Sequence, residues 1–290
     1  MTYLAAMVVG ALLAVSGAVL QSVMRNPLAE PYMLGMVGGG ALFAALAVNL
    51  GLVALGSFVL PSASFLGSCC SLLVVLAVAR AAARVRAENG ADGAMRSSSS
   101  TVVLAGFVVG GLTGSLDMLV LSYSAPGDFE RISKWLYGSL ASASAAHVLL
   151  GAAVLAAVVA LLAALRKDLD VMELGRDEAE CLGVDTRRTM ILAVGAVSLA
   201  TSVSVAIAGA VGFVGLVVPH FVRRVFGPRM ARLVPLSALF GALFLSVAES
   251  VAEAMPGGDK VGVGVVCAVS GAPFFLWLLS SRRNGEGRDV

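Results

Sequence analysis

The chain is a succession of long apolar runs separated by short polar connections. A helix that crosses a bilayer needs about 20 mostly apolar residues, and eight runs have about that length. With one shorter run at 212–226, the predicted spans are 4–24, 33–53, 61–82, 101–121, 146–165, 189–211, 212–226, 233–255 and 261–281. This pattern predicts an all-α, polytopic membrane helix bundle of about nine spans. We expect one transmembrane domain over residues 1–290.

Composition agrees with the pattern of apolar runs. Hydrophobic residues make up 59% of the chain and charged residues 13%, against about 25% charged residues in ordinary soluble domains. The basic residues are scattered over the connections rather than gathered in one patch, so no nucleic acid partner is expected. The run that starts at Leu4 lacks a preceding basic segment, so a cleaved signal peptide is not expected.

No pattern of catalytic or cofactor-binding residues accompanies these runs. The sequence lacks a phosphate-binding loop, so ATP binding by this chain is not expected. The four cysteines and two histidines have no spacing typical of a metal site, and no catalytic motif or paired catalytic carboxylates occur. We therefore expect a chain that is not an enzyme and binds no cofactor or metal of its own.

One connection differs from the others because it is long and charged. Residues 166–188, which we call the insert, carry 12 of the 38 charged residues. Small apolar stripes and two glycines interrupt the charges, which predicts two short amphipathic helices separated by a turn. The apolar and glycine positions are Val171, Leu174, Gly175, Ala179, Leu182, Gly183 and Val184. Two interpretations remain open: a solvated connection, or a docking element for a soluble partner.

The basic residues predict which face of the membrane the insert occupies. Seventeen of the 20 fall on the side of the insert if 212–226 crosses: Arg25, Arg80, Arg84, Arg86, Arg96, Arg166, Lys167, Arg176, Arg187, Arg188, Arg223, Arg224, Arg229, Arg232, Arg282, Arg283 and Arg288. Arg131, Lys134 and Lys260 fall on the other side. Because basic residues concentrate in cytoplasmic loops, we expect the insert and the C-terminus in the cytoplasm and the N-terminus outside.

Two further stretches carry specific expectations. Asp128 follows Pro126 and Gly127 and is placed to cap a short helix within 128–144, lying at the outer interface. Gly106, Gly110 and Gly114 recur every four residues in one span, so they form a face for close helix packing or, alternatively, a hinge or the lining of a path.

Three acids lie near the outer ends of predicted spans. They are Asp117, Glu249 and Glu253. Since no basic partner is evident in the spans, we expect them to reach the outer water layer. Acids inside a membrane are also candidates for ion coupling, so a secondary transporter driven by an ion gradient stays open as an alternative.

Six stretches together resemble a known family. They are 16–21 (SGAVLQ), 25–31 (RNPLAEP) with 34–35 (LG), 135–140 (WLYGSL), 174–184, 212–220 (GFVGLVVPH) and 264–275. In this order, and over almost the whole chain, they are similar to the permease subunits of ATP-binding-cassette (ABC) importers for iron–siderophores, haem and vitamin B12. Each stretch alone is weakly specific, but the set is strongly specific.

The resemblance implies a permease that moves such substrates into the cytoplasm with ATP hydrolysed by a partner. The implied partners are a second permease copy, two cytoplasmic ATPase subunits, an extracytoplasmic binding protein and the lipid bilayer. The ATP and magnesium would belong to the ATPase subunits. In that family the insert couples to the ATPase, a role that falls here on Leu174, Gly175, Ala179, Leu182, Gly183 and Val184.

The resemblance also implies a central path. Its lining or packing would involve Gly106, Gly110 and Gly114 in one span and Gly264, Gly271 and Pro273 in the last.

Two features depart from the family. Members usually have ten spans, and the first helix is missing before Leu4 here, which suggests a misassigned start, a real loss or a non-transporting remnant. An arginine that relatives often carry near the outer end of the penultimate span aligns with Glu253. Candidates for docking the binding protein are therefore Arg131, Lys134 and Lys260. The substrate class is left open among siderophore, haem and corrinoid.

Overall fold

The computed structural model describes residues 1–88, 98–255 and 261–283. These residues form α-helices and two short 3-10 turns, and no strand occurs among them. The helices are α1 Thr2–Val23, α2 Met36–Asn49, α3 Val59–Glu88, α4 Ser98–Ser122, α5 Pro126–Leu136, α6 Ala145–Met172, α7 Arg176–Cys181, α8 Thr186–Ala208, α9 Val214–Phe226, α10 Met230–Ala254 and α11 Val263–Arg283. The prediction of an all-α polytopic bundle is confirmed.

Each predicted span overlaps one of these helices. Six are long and apolar enough to cross a bilayer, namely α1, α3, α4, α6, α8 and α10. Two are shorter than the roughly 20 residues that a full crossing needs: α2 has 14 residues and α9 has 13. A 3-10 turn at Pro31–Leu34 precedes α2, so the predicted span 33–53 begins with a tighter turn than an α-helix.

The central helix of the bundle is α1. It packs against α6, α8, α9 and α10, and 17 of its 22 residues are buried. Glycines let its backbone touch two of these neighbours. A Cβ on Gly10 would lie 2.2 Å from the carbonyl oxygen of Gly241 in α10, and one on Gly17 would lie 1.8 Å from that of Gly215 in α9. No residue larger than glycine fits these crossings without moving a helix.

A second group of helices flanks the first. Helix α2 packs against α3 and α4, and both α2 and α3 contact α8. Here too glycines allow a close approach, because a Cβ on Gly39 would lie 2.4 Å from the carbonyl oxygen of Gly67 in α3. Helix α8 therefore joins the α2–α4 group to the helices around α1.

The bundle has two chemically different ends. We call the end that carries residues 166–188 the insert end and the other the far end. At the far end the buried Ile132 of α5 packs with Ala45, Val48 and Leu121. The hydroxyl of Tyr3, near the start of α1, donates to Glu253, near the end of α10, across 2.6 Å.

The direction of each helix assigns the basic residues to these ends. At the insert end lie Arg25, Arg80, Arg84, Arg86, Arg166, Lys167, Arg176, Arg187, Arg188, Arg223, Arg224, Arg229, Arg232, Arg282 and Arg283, while Arg131 and Lys134 lie at the far end. Arg96, Lys260 and Arg288 are outside the described residues. Within the described part of the chain, the predicted segregation of basic residues is present.

The connection from α8 to α9 explains how the short run 212–226 changes ends. The carbonyl oxygen of Ala208 accepts a hydrogen bond from Ser139, just after α5 at the far end. Five non-helical residues then lead to α9, whose first turn lies against Gly17, in the second half of α1. The last turn of α9 reaches Glu173 at the insert end. The chain therefore passes from one end to the other, but only its second part is helical.

Two local predictions were wrong. Asp128 does not cap α5: the cap position is Ala125 and Pro126 begins the helix, a position that suits proline because the first amides of a helix have no intrahelical partner. The helix also ends at Leu136, before Gly138 at φ +74°, rather than near residue 144. Ser144 instead caps α6, where its side chain accepts from the amide of His147.

Candidate coupling site

The insert contains one short helix rather than two. Helix α6 continues through Met172, and only α7 lies wholly inside residues 166–188. The prediction of two short helices was wrong because the first is the end of a long one. Leu162, Leu169 and Met172 are buried at helical spacing across the charged residues, so apolar contacts hold that helix together beyond the predicted span.

Glycine begins α7. Gly175 precedes the helix with φ +151°, a conformation that side chains with a Cβ rarely adopt. A Cβ there would also overlap the carboxylate of Glu178, which folds back over the start of α7. Residue 175 must therefore be glycine for the chain to turn from Leu174 into α7.

A second glycine ends α7 in a Schellman motif. The amide of Gly183 donates to the carbonyl of Glu180, and that of Val184 donates to the carbonyl of Ala179, both across 3.0 Å. Gly183 has φ +85°, the left-handed conformation that this motif needs at the residue after the helix cap, Leu182. Ala179 is fully buried, as the apolar contact that accompanies the motif requires. The sequence pattern Ala179 to Val184 is thus a helix stop.

Two leucines of the insert face outward. Leu174 is 63% exposed and Leu182 is 65% exposed, one just before α7 and one just after it. The other predicted coupling residues shape the turn, since Ala179 is buried and Gly175 and Gly183 provide the backbone conformations. The insert therefore presents exposed apolar side chains on a surface that is otherwise charged.

Polar contacts fasten α7 to the start of α8. The hydroxyl of Thr186 donates to Glu180 across 2.5 Å, and Arg176 lies 3.4 Å from the same carboxylate oxygen. The hydrogen bond from Thr186, and then the one from Arg176, lower the pKa of Glu180 below its ordinary value. Asp185 caps α8 by accepting from the amide of Arg188 across 2.9 Å. The short helix is thereby held in a defined position between α6 and α8.

A partly buried cluster connects the base of the insert to the bundle. Glu173, directly after α6, lies 2.6 Å from the guanidinium of Arg223 in α9. The second terminal nitrogen of Arg223 donates to the hydroxyl of Ser22 in α1 across 2.8 Å, and that hydroxyl donates to Glu173 across 2.7 Å. We call Glu173, Arg223 and Ser22 the junction cluster. Sequence reasoning missed it, because the three residues are 50 to 201 positions apart.

Two further contacts join the end of α6 to other helices. Asp170 accepts from the amide of Met230, the first residue of α10, across 2.7 Å. Arg25 donates to the carbonyl oxygen of Leu174 across 3.3 Å. The end of α6 and the first residue of the turn are thus attached to α10 and to the connection that follows α1.

The predicted path residues fall into two groups. Three are packed against other backbone or rings: Gly106 against Met33, Gly264 against Ala210, and Gly271 against the ring of Phe213. The others are open. Among the described residues, no heavy atom lies within 4 Å of a Cβ placed on Gly114, and for Gly110 only the Cα of Gly35 does. Pro273 is exposed. The four-residue repeat therefore does not form one continuous packing face.

The predicted docking residues lie at the far end. Arg131 is exposed on α5 and lines a cavity of about 360 Å³ together with Asn49 and Asp128. Lys134 forms an ion pair with Glu130 across 2.9 Å. Lys260 lies outside the described residues. Helix α5 thus presents one basic residue at the edge of a cavity and one in a local ion pair.

The acids of the spans do not behave alike. Glu253 is exposed, as expected, but Asp117 is 5% exposed and Glu249 is 7% exposed. The expectation that all three reach water was wrong for these two, because α4 and α10 pack them inside the bundle. No hydrogen-bond partner for Oδ1 of Asp117 is found in the described part of the chain.

A fourth acid, Glu30, was not singled out by sequence reasoning. It lies between α1 and α2, outside the spans, and is 9% exposed. Its carboxylate accepts from the amide of Phe213 across 2.6 Å. Burial raises the pKa of Glu30 to about 7, and the hydrogen bond from Phe213 acts in the opposite direction. Phe213 itself has φ +68°, which is strained for a bulky side chain.

Groups of three or more possible metal ligands are not found in the described residues. The candidate site comprises the polar turn, the two exposed leucines and the junction cluster.

A family model and individual relatives match the chain. The model of the FecCD transport family matches residues 1–281. The cobalamin import system permease protein of Halobacterium salinarum is 37% identical over 275 residues, which cover 94% of this chain and 70% of that protein. The Fe(3+) dicitrate transport system permease protein of Escherichia coli is 35% identical over 281 residues, covering 97% of this chain and 83% of that protein.

A solved structure shares the fold. It is described as a metal-chelate type ABC transporter in an inward-facing conformation, and it superposes with a TM-score of 0.82 at 28% identity. The match covers 97% of this chain and 85% of the other. The similarity therefore extends over nearly all of the helices described above.

Proposed function

The chain belongs to the FecCD transport family, and from that premise we propose that it is the membrane-spanning permease subunit of an ABC importer that works with separate ATPase subunits. The observation that carries the proposal is the family match over residues 1–281. The chain performs no covalent chemistry in this proposal. ATP binding and hydrolysis occur in the partner, and the permease converts the partner's movement into alternating access of a path.

We place the insert end in the cytoplasm. The support is the segregation of basic residues, because 15 of the described arginines and lysines lie at the insert end and two at the far end. Cytoplasmic connections carry such an excess of basic residues. The N-terminus of this chain then faces outward, the C-terminus faces the cytoplasm, and the protein resides in the cell (cytoplasmic) membrane.

The insert is the element that binds the ATPase. Leu174 and Leu182 are both more than 60% exposed on either side of α7. Apolar side chains displayed on a charged, well-ordered turn suit a pocket in a soluble partner, where their burial would contribute about 1.5–3 kcal/mol each. Ala179, Gly175 and Gly183 contribute by holding the turn in shape.

The substrates are metal chelates or corrinoids imported through a path between two permease copies. Support comes from the relatives, which are named for cobalamin and for iron dicitrate. An extracytoplasmic binding protein delivers the substrate to the far end, where Arg131 and Lys134 lie. The sequence pattern assigns Lys260 to the same face of the membrane as these two residues. The path residues are Gly110, Gly114 and Pro273, whose positions are open.

The experiment replaces both exposed leucines with aspartate, Leu174→Asp with Leu182→Asp, and measures co-purification of the ATPase subunit expressed with the permease. We expect membrane insertion to be unchanged and the bound ATPase to fall at least tenfold. Leu55→Asp is the matched control, because Leu55 is 79% exposed at the far end. Unchanged ATPase binding by the double variant would contradict the assignment of the insert.

A second measurement separates this proposal from ion coupling. Uptake of radiolabelled cobalamin or ferric citrate into vesicles is measured with and without the ATPase. Uptake that needs the ATPase and survives neutralisation of Asp117 and Glu249 supports an ABC permease. Uptake that persists without the ATPase contradicts it.

A further inference from the structure

The junction cluster is the place where the insert meets the core of the bundle. Arg223 contacts Glu173 and Ser22 with its two terminal nitrogens, and Ser22 contacts Glu173 in turn. The side chains of Arg223 and Glu173 are 22% and 24% exposed, so the ion pair is largely shielded from water. Charge-assisted hydrogen bonds of this kind are roughly twice as strong as neutral ones. The cluster therefore holds α1, α9 and the end of α6 in fixed relation.

Glu173 is well placed to follow any movement of the insert. It is the residue between the end of α6 and Leu174, which begins the turn into α7. The other side-chain contacts of this segment lead elsewhere: Glu180 contacts Thr186 and Asp168 contacts Thr189, both in α8. Arg25 donates to the carbonyl oxygen of Leu174, and Asp170 accepts from the amide of Met230 in α10. Among these contacts, that of Glu173 with Arg223 joins the segment to α9.

The other end of α9 lies deep in the bundle. Phe213, directly before α9, has a left-handed backbone conformation and donates its amide to Glu30. Its ring packs against Gly271 of α11, where a Cβ would lie 2.5 Å from the ring atoms. A shift of α9 along its axis would therefore change the contact between Phe213 and α11. Strained backbone of this kind is common at segments that move.

We propose that the Glu173–Arg223 ion pair transmits movement of the insert to α9, and that α9 passes it to α11 through Phe213. Arg223 is then a positioning residue for transport, because it acts through α9 rather than on substrate. The inference rests on the proposed function of the insert and adds the route that leads from it. Coupling between two sites needs an element that both sites bias, and α9 is that element here.

The first test measures transport by the assembled complex. We compare Glu173→Ala, Arg223→Gln and the double variant by substrate imported per ATP hydrolysed, with radiolabelled cobalamin or ferric citrate as the probe. Each single variant is expected to keep the ATPase bound and to lose at least tenfold in this ratio. The double variant is expected to lose no more than the worse single variant, because both break the same contact. Arg224→Gln, an exposed arginine beside Arg223, is the control and is expected to stay within twofold of the unaltered chain.

The second test uses the permease alone and so does not depend on its function. Amide hydrogen exchange is measured over residues 213–226 in the unaltered chain and in Glu173→Ala. The amide of Phe213, directly before α9 and ten residues from Arg223 along the chain, is expected to exchange at least fivefold faster in the variant. A change confined to residues near 223 would overturn the proposal.

The outcomes distinguish failure of the proposed function from failure of the route through α9. Absence of ATP-driven uptake by the unaltered complex would contradict the proposed function, while faster exchange at Phe213 would still support transmission through α9. Equal uptake per ATP in Glu173→Ala and the unaltered chain would overturn the inference alone. A variant that loses ATPase binding or fails to insert would also overturn it, because the ion pair would then be a structural contact. Loss of coupling in Asp170→Ala, with none in Glu173→Ala, would assign the route to α10 instead.

Discussion

Helices α1 and α4 are both apolar and rich in small residues, yet they occupy opposite environments. In α1, 78% of the most apolar stretch is buried, and glycines bring its backbone against α9 and α10. In α4 only 28% of the corresponding stretch is buried, and Leu104, Phe107 and Leu112 are exposed. The two helices would pass the same sequence test for a span. They differ in how much of their surface is covered by other helices of the chain.

A glycine in a span has a different role in each of these environments. Gly17 meets the backbone of another helix, whereas a Cβ on Gly111 or Gly114 would meet no atom of the described residues within 4 Å. Since lipid provides no hydrophobic drive between helices, small residues promote packing only where a second backbone approaches. The open glycines of α4 fit a surface that meets lipid, another subunit or a substrate path.

The largest expected effect is that of Gly17→Ala. A Cβ there would lie 1.8 Å from the carbonyl oxygen of Gly215 and 2.6 Å from its Cα, so α1 and α9 must separate. Overpacking of this kind costs typically about 1–3 kcal/mol and occasionally more, and backbone contact on both sides places this site at the upper end. We expect a melting temperature lower by several degrees for the purified chain in detergent.

Gly111→Ala is the matched control for that variant. In the part of the chain that the structure describes, no atom lies within 4 Å of its Cβ position, and alanine is favoured over glycine inside a helix by about 1 kcal/mol. Its melting temperature is expected to stay the same or to rise slightly. Equal destabilisation by Gly17→Ala and Gly111→Ala would remove the distinction between the two helices.

The sequence predicted the helices better than their contacts. The nine apolar runs each overlap a helix, and the pattern from Leu174 to Val184 located the turn of the insert. The end of α6 was missed although a signal was present: Leu162, Leu165, Leu169 and Met172 continue at helical spacing through the charges. Charged residues on the exposed face of a helix do not end it.

Long-range contacts explain most of what sequence reasoning missed. Glu30 and Phe213 are 183 positions apart, and their hydrogen bond depends on the break between α8 and α9. Gly106 and Gly114 belong to the same four-residue repeat of glycines in α4. Of the two, Gly106 is the packed one, because Met33 lies against it. Whether such a residue is packed or hydrogen-bonded depends on the distant residue that contacts it, and the local sequence pattern does not identify that residue.

An effect of similar size is expected from Glu30→Gln. Burial raises the pKa of Glu30 from 4.5 to about 7. The folded chain therefore binds this proton more tightly than the unfolded chain, and its stability falls as pH rises from about 4.5 to 7. A shift of this size corresponds to about 3 kcal/mol. Like Gly17, Glu30 contacts the backbone of another segment, here the amide of Phe213.

The measurement is the free energy of unfolding in denaturant between pH 4 and pH 8. Glutamine stays neutral, so the variant is expected to match the unaltered chain near pH 4.5 and to be more stable than it at pH 8. Glu178→Gln, at an exposed position of the insert, is the control and is expected to leave the pH profile unchanged. A Glu30→Gln profile that falls with pH as steeply as that of the unaltered chain would refute the assignment.

The smallest effect divides α4 itself. A Cβ on Gly106 would lie 1.9 Å from the carbonyl oxygen of Met33. Met33 belongs to the short 3-10 turn at Pro31–Leu34 rather than to a long helix. Because a four-residue turn yields more easily than a second helix, we expect Gly106→Ala to cost about 1 kcal/mol, the lower end of the range for overpacking. Gly114→Ala, eight residues later on the same helix, is expected to cost nothing in the isolated chain.

Melting temperatures of the two variants decide whether α4 is packed at one point or along its length. If Gly114→Ala leaves stability unchanged but lowers ATP-driven uptake in the assembled complex, the open stretch of α4 faces the path, and if it lowers neither, that stretch faces lipid.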